Sequence, residues 1–173
     1  MSLLQILIFP DSRLRKVASK VLKFDKKIED LTKDLLETMY LYNGIGLAAS
    51  QVNIHKRVIV MDISEEKKEP LILINPKITI LNKKNKLQSE EGCLSVPGFY
   101  EEVERPTDVE VSFQDIKGKS ALLRPKGLLS VVIQHETDHL DGRVFVDYLS
   151  NLKKEIIKKK LLKEQKEKKR KKK

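Results

Sequence analysis

The sequence predicts an α+β chain, and three observations carry that expectation. Apolar residues recur at three- and four-residue steps after Asp25, and an apolar run fills Leu128 to Leu140, which reads as two helices. Between them lie short runs rich in β-branched residues. Val109, Val111 and Phe113 then alternate with Glu110, Ser112 and Gln114. A turn at Lys117-Gly118 leads back through Ser120–Arg124, a hairpin signature. With 173 residues, 40% of them hydrophobic, the chain has the length of one domain plus at most an appendage. It can bury a core without disulfide staples.

Taken in order, the first ten residues read as an extended arm, with a turn through Asp11, Arg13 and Arg15. Asp25 caps the first helix, Ile28, Leu31, Leu35, Leu36 and Met39 form its apolar face, and Asn43-Gly44 ends it. Strands follow at Val58–Ile63, at Leu71–Asn75 halted by Pro76, and at Ile78–Leu81. Pro125 and Gly127 open the second helix and Gly142 closes it. Leu149, Leu152, Ile156 and Leu161 keep a helical stripe that packs on the body. From Lys163 onward no apolar residue remains, so the end of the chain is expected to be solvated. The organisation expected is a main domain at 1–150 and a Lys-rich helix or tail at 151–173.

Charge and composition narrow the function. The net charge is +10, but residues 153–173 hold 13 Lys/Arg against 3 Glu, leaving the body neutral. A neutral body with a basic tail speaks against specific DNA binding and for docking or solubility. A single cysteine, Cys93, excludes an internal disulfide framework and fits a reducing compartment. The apolar start, Leu3 to Phe9, is too short to span a membrane and lacks the flanks of a secretion signal. A cytoplasmic-type chain is the expectation.

The chemistry concentrates in His135-Glu136-Thr137-Asp138-His139. Two imidazoles four residues apart share one helix face and can take one metal ion. Glu136, one step round, reaches the metal's water without being a ligand. The alternative is a helix with ordinary surface histidines. Against it, the flanking residues Leu128, Leu129, Val131, Val132 and Ile133 are apolar, and unpaired polar groups in such a setting are costly. The remaining histidine, His55, lies in a polar stretch and reads as a surface residue.

A third ligand is less obvious. The metzincin spacing would place a histidine at 145, where the chain has Phe145; Glu155 and Glu164 lie in the Lys-rich tail. That leaves Cys93, in Glu90-Glu91-Gly92-Cys93-Leu94-Ser95, an irregular acidic segment in which Gly92 permits close backbone approach. A lone cysteine is more often a small buried hydrophobe than a ligand.

Three segments in order resemble the peptide deformylase family: Gly44-Ile45-Gly46-Leu47-Ala48-Ala49-Ser50-Gln51, Glu91-Gly92-Cys93-Leu94-Ser95, and Gln134-His135-Glu136-Thr137-Asp138-His139-Leu140-Asp141-Gly142. The opening Phe9 to Val17 is also similar, so the resemblance spans about residues 3–150. It implies antiparallel sheets around a central helix that bears the HExxH pattern, with an N-terminal and a C-terminal helix. It implies that Cys93, His135 and His139 bind one divalent metal ion, iron(II) in the family, with zinc, nickel or cobalt able to substitute. The reaction implied is hydrolysis of the formyl group from formyl-methionine on new bacterial or organellar polypeptides. Glu136 is then the proton carrier. The Gln51 amide and the Leu94 backbone N–H become oxyanion donors, each worth about 3 kcal/mol.

For the remaining residues a structural reading stands beside the functional one. Gly46 reads as backbone that pairs strand-fashion with a peptide. Ile45, Leu128, Val131 and Val132 wall a methionine pocket or simply pack the core. Glu91 bonds near the metal or to Arg105, or forms a solvated salt bridge with it; Gln51, apart from the resemblance, is a polar strand-edge residue. In family members with a C-terminal helix, that helix contacts the ribosome, and solubility is the plainer role for the tail. Two other functions compete: an HExxH metallopeptidase, and an RNA-associated protein without catalysis.

Overall fold

The computed structural model describes residues 3–171. Helix α1 (Lys26–Leu41) starts where Asp25 accepts hydrogen bonds from the backbone N–H groups of Lys27 and Ile28. It buries Ile28, Leu35 and Met39. The strands are β1 (Gly46–Ala48), β2 (Val58–Met61), β3 (Leu71–Cys93), β4 (Val96–Gln114) and β5 (Ser120–Leu123). They form one five-stranded antiparallel sheet in the order β1-β2-β3-β4-β5. Helix α2 (Gly127–Leu140) packs across β1 to β4, and α3 (Asn151–Lys171) follows a 3-10 turn at Phe145–Tyr148.

The architecture is the α+β arrangement expected, with three corrections. The two strands separated at Pro76 are one strand, β3, which continues to Cys93. The ladder absorbs the missing proline N–H by a register shift between Ile74 and Lys77, with Asn75 in the left-handed region at φ 53°. The Asn75 side chain secures the bend: its Oδ1 accepts from Val21 N at 2.8 Å and its Nδ2 donates to Gln114 Oε1 at 2.8 Å. Cys93 is therefore the last residue of a strand, not part of an irregular segment, and it pairs with Val96 across a tight reversal.

His55 is the second correction. It is half-buried, and both ring nitrogens are shielded without a hydrogen-bond partner among the described residues; burial, with Lys16 nearby, lowers its pKa. The third concerns the C-terminal stripe. Leu161 is buried and Leu149 half-buried, as the stripe predicts, but Leu152 and Ile156 are exposed and Ile157 anchors α3 beside Leu161. These join Leu7, Leu14, Val103 and Phe145 in one apolar cluster. Beyond Leu161 the helix continues, solvated, to Lys171; residues 172 and 173 of the basic run lie outside the described residues.

Gly142 explains the tight exit from α2. Its φ is +74°, and a Cβ there would lie 2.5 Å from the Arg15 carbonyl oxygen, so only glycine lets the chain pass the N-terminal arm. The arm is tied down in turn. Leu7 N–H donates to Gln51 O at 2.7 Å and Phe9 N–H to Ser95 O at 2.8 Å.

Candidate active site

Two segments distant in sequence meet at one face of α2. Cys93 comes from the end of β3, and His135 and His139 from one face of α2. Their ligating atoms all lie within 4.8 Å of one another. Cys93 Sγ is 3.2 Å from His139 Nε2. The two imidazoles sit edge to face, with centroids 5.0 Å apart, and both are buried. One sulfur and two imidazole nitrogens in a partly shielded pocket are a donor set suited to a divalent first-row ion. The residues fit such an ion.

Glu91 orients the first histidine. One of its oxygens lies 2.7 Å from His135 Nδ1, which leaves Nε2 for the cluster. Arg105 closes on the same carboxylate twice, Nε to Oε1 at 2.7 Å and Nη2 to Oε2 at 2.9 Å. Both side chains are about 4% exposed, so the solvated salt bridge is excluded. Burial opposes ionisation of Glu91, but the bonds from Arg105 and His135 prevail and hold its pKa at about 2. Burial also disfavours charge on both histidines. For His135 the bonds to Cys93 and Glu91 outweigh it and raise the pKa, whereas for His139 burial and the neighbouring His135 lower it.

Glu136 is a buried carboxyl beside the cluster. Burial pushes its carboxyl up to about 7 against the pull of His135, and Oε2 has no hydrogen-bond partner among the described residues. Gly46 makes room for it: a Cβ at that position would lie 2.4 Å from Glu136 Oε1. That requirement is hidden in the sequence, because the two residues are ninety positions apart.

Gln51 is not at a strand edge. It sits in a 3-10 turn, Ala49–Val52, and is 1% exposed. Its Oε1 accepts from Ala48 N–H at 2.8 Å, which settles which way the amide points. Nε2 therefore faces the cluster, 3.1 Å from Ser95 Oγ and 3.5 Å from Cys93 Sγ. Leu94 forms the reversal after Cys93, with its side chain packed against the α1 core and near Gly44.

Ile45, Leu128, Val131 and Val132 line a cavity of about 80 Å³ that Glu91, His135 and Glu136 also line. Ile45 and Leu128 are 41% and 53% exposed, so they form its rim, while Val132 is buried. Gly46 opens β1, the edge strand of the sheet, directly beside Glu136.

Sequence reasoning missed Asp138 and Tyr148. Asp138 Oδ2 accepts from Arg105 Nη1 at 2.6 Å and from the Tyr148 hydroxyl at 2.8 Å. Asp138 stands within the quoted motif and was legible there; Tyr148 carries no local signal at all.

Comparison with known proteins agrees with this geometry. The family model for polypeptide deformylase matches residues 3–155. The chain is 55% identical to the peptide deformylase of Saccharophagus degradans, over 93% of each chain. It is 56% identical to peptide deformylase 1 of Pseudomonas syringae, over 93% of this chain and 95% of that one. Among solved structures, a peptide deformylase from Legionella pneumophila aligns with a TM-score of 0.90 at 41% identity, covering 98% and 99% of the two chains. One from Ehrlichia chaffeensis in complex with actinonin also gives 0.90, at 40% identity, covering 95% and 98%. By family model, sequence identity and architecture alike, the chain belongs to the polypeptide deformylase family.

Proposed function

We propose that Cys93, His135 and His139 hold one divalent metal ion, and that the site removes the formyl group from formyl-methionine at the start of new polypeptides. The formyl C–N bond breaks, a C–O bond to water's oxygen forms, and the products are formate and a free amino terminus. A bound dication there supplies Lewis-acid chemistry, lowering the pKa of water and polarising the formyl oxygen. Glu136 receives a proton at Oε2 and returns it to the departing amine nitrogen; a carboxyl near pH 7 suits both transfers. Gln51 Nε2 and the Leu94 backbone N–H stabilise the developing oxyanion, the first because its amide is already oriented by Ala48.

The substrate backbone pairs with Gly46 at the sheet edge. The methionine side chain enters the cavity walled by Ile45, Leu128, Val131 and Val132. Glu91 and Arg105 keep His135 in register. Iron(II) is the ion we name, with zinc, nickel and cobalt as substitutes, because a sulfur and two imidazoles accept all four. Residues 1–150 carry all these groups. The Lys-rich C-terminal segment, residues 151–173, is proposed to contact the ribosome through its lysines in the cytoplasm, a reading supported by its concentrated charge.

The observation that carries the catalytic reading is the convergence of Cys93, His135, His139 and Glu136 beside the open strand edge at Gly46. The test is formyl-Met-Ala-Ser hydrolysis with formate and free amine both quantified, run beside casein digestion and an RNA gel shift. Formate release in step with amine, without casein cleavage, is expected; casein digestion or RNA retention without formate overturns the reading. Metal analysis after anaerobic purification checks the ion.

A further inference from the structure

The 3-10 turn Phe145–Tyr148 joins α2 to α3 and contributes no ligand, yet it touches the metal cluster by two routes. Phe145 is 1% exposed, and its ring lies against the His135 imidazole with centroids 6.1 Å apart and planes inclined by 26°. Tyr148, at the other end of the turn, covers the Arg105 guanidinium, whose central carbon is 4.8 Å from the ring centroid. The Tyr148 hydroxyl donates to Asp138 Oδ2 at 2.8 Å, the same oxygen that accepts from Arg105 Nη1 at 2.6 Å.

Arg105 is therefore gripped on both sides. One side of the guanidinium holds Glu91 and the other is held by Asp138 and Tyr148. Glu91 Oε2 is shared between Arg105 Nη2 and His135 Nδ1, so a rotation of Arg105 moves the atom that orients the imidazole. The turn is itself clamped. Asp147 accepts from Val144 N–H at 2.9 Å, and it pairs with Arg15 of the N-terminal arm and with Lys154 of α3.

We infer that this turn is the buttress of the metal site: Phe145 and Tyr148 are positioning residues that fix the His135 imidazole, the first by ring contact and the second through Asp138, Arg105 and Glu91. Tyr148 is 45% exposed and Arg105 only 4%, so the tyrosine is also the lid that keeps water off the guanidinium. The inference rests on the metal reading above and deepens it. A support that bears on a ligand directly or through intervening side chains controls how rigidly that ligand is held, and hence how fast the ion escapes.

The test uses the full chain loaded with cobalt(II), with Tyr148→Phe and Tyr148→Leu beside the exposed-pair control Arg124→Ala. Three quantities are read: the visible cobalt spectrum, the half-time of cobalt loss to a chelator, and kcat and KM on a formylated tripeptide. Tyr148→Phe keeps the ring and is expected to speed cobalt loss about threefold. Tyr148→Leu loses ring and hydroxyl and is expected to speed it about tenfold or more. In both the cobalt bands shift, kcat falls and KM holds, while Arg124→Ala matches wild type. A general loss of stability would lower the thermal midpoint of the metal-free chain without shifting the cobalt bands of the folded fraction, and that pattern overturns the buttress. So do Tyr148 variants that match wild type in both spectrum and release. A wild-type chain that binds no cobalt overturns the metal reading as well, so the two failures are distinguishable.

Discussion

Helices α2 and α3 are joined by one short turn and are built on opposite principles. Nine of the fourteen residues of α2 are buried, among them Ser130, Gln134, His135, Glu136, Thr137 and His139. Only Ile157 and Leu161 are buried among the twenty-one residues of α3, and its outer surface is a field of lysines. Polar groups withdrawn from water cost several kcal/mol unless partnered, whereas charges left in water cost almost nothing. The contrast teaches where function is concentrated. A helix that buries His, Glu and Thr must partner or use each of them; one that keeps its charges solvated carries them at little cost.

The sharpest way to break the contrast is Glu136→Ala. It removes the buried carboxylate proposed to carry the proton and none of the proposed ligands, so metal content should stay at wild-type level while turnover falls by several orders of magnitude, measured as formate release with metal analysis of the same sample. Gln51→Ala comes next. A fall in kcat of roughly two to three orders of magnitude is expected, with metal content unchanged. A change confined to KM would make Gln51 a uniform binding contact instead of an oxyanion donor.

The α3 side predicts smaller effects, on stability. Leu161 is 1% exposed in the cluster with Phe145 and Leu14, so Leu161→Ala should cost about 2–4 kcal/mol in urea unfolding. A loss under about 1 kcal/mol would mean that α3 merely rests on the body.

Asp147, the carboxylate that clamps the turn to α3, gives a pH test. Burial opposes its charge, but hydrogen bonds from Arg15 and Lys154 hold its pKa at about 2, below its ordinary value near 4. The folded chain therefore binds fewer protons at this site than the unfolded one. The stabilisation is present above about pH 4 and is lost as pH falls through about 2. Solvent access limits it to about 1 kcal/mol. Asp147→Asn should remove that part of the acid dependence, as seen in unfolding midpoints across pH 2–5.

The smallest effect belongs to the tail. Removing residues 163–173 takes the net charge from +10 to +4. Hydrolysis of a free formylated peptide should not change, because the groups proposed to react lie before residue 143. Ribosome co-sedimentation should weaken, with a shallower salt dependence. Equal co-sedimentation across a salt series would leave the lysines a solubility role only.

Much of this molecule is legible from its residues alone. The capped helix after Asp25, the hairpin at 109–124 and the helix bearing His135 and His139 all follow from periodicity and local chemistry, because caps, turns and i,i+4 spacing act within a few residues. The three motif segments are legible for the same reason. What tertiary structure decided are relations between distant segments. Pro76 reads locally as a strand end, yet a bulge locked by Asn75, Val21 and Gln114 carries β3 on to Cys93. Gly46 must be bare because Glu136 fills its place, and Tyr148 matters because it closes over an arginine forty-three positions earlier. Ile157, not Ile156, anchors α3, since burial there depends on which side of the helix the preceding turn presents to Leu7 and Leu14. A chain writes its short-range preferences into neighbouring residues. Contacts across the sheet and around α2 exist only once several such segments have packed, and no single stretch of sequence contains them.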